Sequence, residues 1–112
     1  MKLPNLEKSV ISIEKLRDYC LNMDHSTGKH KAKVFKSALG LEKSHADTLR
    51  HLILEGIYEN EAIEIEKDQY GRRYLVDIKI NRKNKSASVR TLWIIKVTES
   101  FPRLISCYIK TK

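Results

Sequence analysis

Two hydrophobic periods divide the chain. Up to about residue 57 apolar positions recur every three or four residues, and from about residue 61 they recur every second residue. Residues 13–22 predict a first helix capped by Ser12, with Ile13, Leu16, Tyr19 and Cys20 on one face and Glu14, Lys15, Arg17 and Asp18 on the other. Ahead of it, Leu3, Pro4 and Leu6 form an arm that lies on the fold. A second helix opens near Gly28 or Lys29 behind the turn residues Ser26 and Thr27, carries Ala32, Val34, Phe35, Ala38 and Leu39 along one side, and stops at Gly40. A third starts at Ser44, with Asp47 as a weaker capping-box partner and Leu49, Leu52, Ile53 and Ile57 as its buried side. His45 and His51 are expected on its wetted surface.

The alternating half predicts strands over 61–67, 73–80, 86–97 and 104–110, joined by turns at 68–71 and 81–85 and by Phe101-Pro102-Arg103. Leu92-Trp93-Ile94-Ile95 makes the third strand apolar on both faces, so it is placed centrally. The fold class is α+β: three N-terminal helices packed on a four-stranded antiparallel meander. It forms a single domain over 1–112, helical to about residue 57 and sheet from about residue 59.

Composition narrows the class. With 112 residues, 41% hydrophobic and 32% charged, the chain is expected to form one soluble globular core. No apolar run is long enough to cross a bilayer and residues 1–5 lack a signal peptide's apolar stretch, so the expectation is a cytoplasmic protein without a membrane partner. Cys20 and Cys107 lie far apart in apolar surroundings, which favours reduced core thiols; without CxxC or HxxxH spacing, neither metal nor cofactor is expected.

The net charge of +8 is unevenly spread: residues 59–68 are acidic, whereas residues 72–112 hold eleven Lys or Arg against Asp77 and Glu99. Such a cluster suits nucleic acid or an acidic protein. The more specific anomaly sits in Gly28-Lys29-His30-Lys31. On a helical wheel Lys29, Lys33 and Lys36 face water, but Lys31 falls within the apolar stripe and His30 at its edge. A helix start already offers unpaired N–H groups, so a lysine and a histidine there suit a phosphate.

Walker, dinucleotide, nucleophile-elbow and zinc-protease motifs are absent. The remaining His, Lys, Arg, Thr and Tyr are the groups a metal-independent ribonuclease uses, because the RNA 2′-hydroxyl is its own nucleophile. The candidate catalytic set is His30 as acid or base, Lys31 and Arg90 on the phosphate, and Thr91 and Tyr108 positioning a phosphate or proton. Lys29, Lys33, Arg73 and Trp93 are candidate substrate contacts, Trp93 by base stacking. Arg90 falls in line with Leu92 and Ile94, Thr91 shares the other face with Trp93, and Asp77 is placed to pair with a neighbouring cation.

The set Leu3-Pro4-Asn5, Ile13-Glu14-Lys15-Leu16-Arg17-Asp18-Tyr19, Gly28-Lys29-His30-Lys31-Ala32, Val34-Phe35, Ala38-Leu39-Gly40-Leu41, Gly71 with Tyr74, Val89-Arg90-Thr91, Trp93-Ile94-Ile95 and Phe101-Pro102-Arg103-Leu104 resembles a family of small uncharacterised bacterial and cyanobacterial proteins. Its members look like toxins, found beside a short antitoxin or as the terminal module of longer secreted toxins. More loosely, the helix-then-sheet order is similar to the barnase, EndoU, colicin and RelE-like ribonucleases. The resemblance implies a toxin that cleaves RNA and is restrained by a small antitoxin protein. The alternative is a non-catalytic module that holds nucleic acid or an acidic protein.

Overall fold

The computed structural model describes residues 1–111. Helix α1 (Ile13–Lys15) begins at Ser12, whose hydroxyl accepts the Lys15 N–H, and widens at once into a π turn over Leu16–Cys20. There the Leu21 N–H reaches back five residues to the Leu16 carbonyl at 2.9 Å. The element is therefore shorter than the helix expected to residue 22. Leu16 and Cys20 are still buried, and Tyr19 lies half-buried at its end.

Helix α2 (Lys29–Leu39) matches its prediction closely and ends at Gly40 in the left-handed conformation, φ 67°. Ala32, Phe35 and Leu39 are buried, a stripe worth roughly 1.5–3 kcal/mol for each large side chain taken fully out of water. Helix α3 (Ala46–Glu59) follows a single 3-10 turn, Lys43–His45. The expected Ser44–Asp47 box is not formed. Instead Glu42 and His45 cap each other, the Glu42 N–H donating to His45 Nδ1 at 2.9 Å, so His45 is half-buried structure rather than wetted surface.

Strands β1 (Ala62–Asp68), β2 (Gly71–Arg82), β3 (Lys85–Lys96) and β4 (Arg103–Ile109) form one antiparallel sheet in sequence order, with β3 interior as expected. A two-residue turn joins β2 to β3, with Lys83 and Asn84 both at positive φ (49° and 64°), the backbone twist that suits a tight hairpin. It fixes the register that sets Asp77 opposite Arg90 and Val76 opposite Thr91.

The helices cover one sheet face only. That face supplies Tyr74, Val76, Ile78 and Ile80 from β2, Val89, Trp93 and Ile95 from β3, and Leu104, Cys107 and Ile109 from β4 to a core shared with Phe35, Leu39, Leu49, Ile53 and Ile57. Both cysteines are buried free thiols. The N-terminal arm buries Leu3 and touches both margins of the sheet: the Met1 carbonyl accepts the Ala62 N–H of β1, and Val10 forms a parallel bridge with Arg103 of β4.

Candidate functional site

The anomalous lysine does turn inward. Lys31 is half-buried, its ammonium 5.0 Å from the centroid of the Tyr108 ring and 5.8 Å from that of Tyr19. Among the described residues no carboxylate pairs with it. The electron-rich faces of the two rings hold the cation without neutralising it.

The local sequence builds this arrangement from three sides. The π turn delivers Tyr19. The loop after it returns through His25, whose Nδ1 accepts the N–H groups of Thr27 (3.1 Å) and Gly28 (3.0 Å) while its ring meets Tyr19 edge-on at 4.8 Å. Those contacts place the proton of a neutral ring on Nε2. Gly28 then packs flush on Tyr19; a Cβ there would lie 2.6 Å from the Tyr19 carbonyl oxygen, so only glycine lets the helix start this close. Helix α2 leaves from that point with His30 and Lys31 in its first turn.

The third side is β4, an edge strand of the sheet. His30, Lys31, Val34, Tyr108, Ile109 and Thr111 line an open hollow of about 200 Å³ between α2 and β4. His30 is exposed at its rim. The surface of the hollow is mainly apolar, with one cation in its lining and one imidazole at its mouth.

Arg90 stands beside Tyr108 on the same sheet face, since the two are paired across β3 and β4. Asp77 clamps it: Arg90 Nε and Nη2 donate to Oδ1 (2.9 Å) and Oδ2 (3.0 Å), and Lys110 Nζ lies 3.5 Å from the same carboxylate. The guanidinium holds the Asp77 carboxyl below the usual carboxylate range, with Lys110 adding to the effect. Arg90 itself is held more firmly in the charged form, first by Asp77 and then by the Tyr108 side chain.

Two of the expected site residues belong to the core. Thr91 and Trp93 are wholly buried, the Thr91 hydroxyl donating to the Val76 carbonyl (2.7 Å) and accepting the Trp93 indole N–H (2.8 Å). With every polar atom satisfied and none exposed, neither residue can position a phosphate or stack a base, which corrects both assignments. Lys29 and Lys33 are exposed on the water side of α2. Arg73 stands far along β2, held by Glu66 and Asp68, and takes no part in the hollow.

The basic cluster is also less available than its composition suggests. Arg73, Arg90, Arg103 and Lys110 face carboxylates. Arg82 donates to the carbonyls of Leu39 (3.0 Å) and Gly40 (3.1 Å), and Lys85 to that of Ser37 (3.1 Å), closing the C-terminus of α2 where its dipole favours positive charge. Tyr19, in turn, matters more than the sequence suggests, because nothing in it marks the π turn that brings its ring to the helix start.

A family model for a domain of unknown function, DUF6883, matches residues 2–111. The chain belongs to that family. No curated protein and no solved structure matches it. The match spans nearly the whole chain, so in this protein the DUF6883 domain is the helix-then-sheet unit described above. No helix among its described residues is long and apolar enough to cross a membrane.

Proposed function

We propose that this domain binds a phosphodiester of RNA in the hollow between α2 and β4 and cleaves it without a metal. The observation that carries the reading is the unneutralised Lys31 ammonium, set inward beside Tyr108 at the start of a helix. A phosphate seated there meets that charge, with the His30 imidazole and the Tyr108 phenol lining the same hollow. His30 at the rim takes the proton of the RNA 2′-hydroxyl. The 2′-oxygen attacks phosphorus, the bond to the 5′-oxygen breaks, and the Tyr108 phenol supplies the proton that the leaving oxygen needs. The products are a 2′,3′-cyclic phosphate and a 5′-hydroxyl. With that activity the domain would act as a cytoplasmic toxin that a small antitoxin protein restrains, as the resemblance implies.

The test incubates purified wild type, His30→Ala and Lys31→Ala with total RNA in EDTA. Cleavage by wild type alone, with binding retained by His30→Ala, is the expected result. Intact RNA in all three removes the catalytic reading.

A second reading follows from the Asp77–Arg90 clamp. It leaves Lys31 as the one unpaired cation lining the hollow among the described residues, so a non-catalytic phosphate-binding module fits the same geometry. Salt-dependent RNA binding without cleavage in the same assay identifies it.

A further inference from the structure

We infer that the outer face of the sheet, opposite the helices, docks a protein segment that combines aliphatic with acidic side chains. This surface adjoins the α2–β4 hollow at Tyr108, the cross-strand partner of Arg90, but the inference does not rest on the RNA reading. Ile63, Leu75 and Leu92 stand in one row across β1, β2 and β3, with Ile94 in the next row between Arg73 and Arg103. No helix covers them. Ile63 is 60% exposed, and Ile65, on the bulge beside it, is 50% exposed. Contiguous aliphatic side chains on an uncovered sheet face mark an interaction surface more often than solitary exposed residues do.

Charge on the same face identifies the occupant. Its three arginines are already held by carboxylates: Arg73 by Glu66 and Asp68, Arg90 by Asp77, Arg103 by Glu99. Paired in this way they have little left to offer a phosphate. Lys79 and Lys96, at opposite ends of the face, make no ion pair among the described residues. A segment with aliphatic residues at its centre and carboxylates at its flanks matches this layout. RNA matches it less well, because the two aliphatic rows carry no ring for base stacking, the flanking Tyr108 and Phe101 already face Lys31 and Arg103, and the resident carboxylates repel a phosphate backbone. A second copy is disfavoured by a net charge of +8 on each chain.

The test selects random linear peptides displayed on phage against the full chain, then measures the affinity of the enriched sequences. The expected winners carry both acidic and aliphatic residues, lose about tenfold or more in affinity for Leu92→Lys and for Ile94→Lys, and keep it for Lys31→Ala. The double variant Lys79→Glu with Lys96→Glu, whose positions are both exposed, weakens the same peptides without touching the core. The inference is overturned by any of four results: no enrichment, winners without acidic residues, binding indifferent to Leu92→Lys, or competition for the face by poly(U) RNA. It is overturned equally by sedimentation showing a wild-type dimer that Leu92→Lys separates, since the occupant is then a second copy.

Discussion

The ammonium of Lys31 lies 5.0 Å from the centre of the Tyr108 ring, joining the first turn of α2 to the last strand of the sheet. A cation held by an aromatic face keeps its charge for a ligand, whereas one held by a carboxylate does not. Removing the charge and removing the ring should therefore have different effects. Lys31→Met lowers the slope of log affinity against log salt for RNA by about 1, whereas Tyr108→Phe leaves the slope unchanged and abolishes cleavage. Tyr108→Leu removes the ring that holds the cation and lowers folding stability by roughly the 0.5–2 kcal/mol such a contact contributes. Filter binding over a salt series gives the two slopes, and urea unfolding gives the stability change.

Thr91 and Trp93 give the opposite pattern. Thr91→Val leaves the buried indole N–H without an acceptor and should cost about 1–3 kcal/mol in urea unfolding. RNA affinity of the folded protein stays at the wild-type value.

Asp77 links stability to pH. Its carboxyl is depressed in the fold by Arg90, so the stability it contributes is fully present above the pKa of an unfolded aspartate, about 3.9, and is lost as pH falls through the lower folded value. Asp77→Asn should thus lower stability at neutral pH and converge with wild type in strong acid, as read by urea melts across that range. The same change frees Arg90 beside Tyr108, so RNA affinity rises at neutral pH.

The helix start depends on an unusual cap. His25→Ala removes the acceptor for two N–H groups and should cost about 1 kcal/mol, with faster amide exchange at Thr27 and Gly28. Gly28→Ala adds a clash with the Tyr19 carbonyl and should disturb Lys31 as well, visible as weakened RNA binding.

Much of this was legible before any coordinates. The helical wheel singled out Lys31, and strand alternation separated Arg90 from Thr91, because both properties are local and periodic. The register was less visible. A turn placed at Lys83-Asn84 sets Asp77 against Arg90, but lysine and asparagine do not announce a tight hairpin as strongly as Asn-Gly does. Which sheet face the helices take could not be seen along β3, whose residues are apolar on both sides. The π turn at Leu16–Cys20 is a tertiary accommodation with no sequence signal, and so is the place it gives Tyr19 beside Lys31. Basic composition misled for a related reason: whether a cation is free depends on partners brought in by the fold, as Arg82 at the end of α2 shows.

The arm that joins Met1 to β1 and Val10 to β4 has a consequence for assembly of the molecule. The arm precedes the sheet in the chain, so its contacts wait for β1 and β4 to be in place and the seam between them closes late. Until it does, both flanks of the sheet offer bare backbone to other chains. A nick or bulky fusion that displaces the arm should leave those edges open to pairing with other chains and favour filament formation.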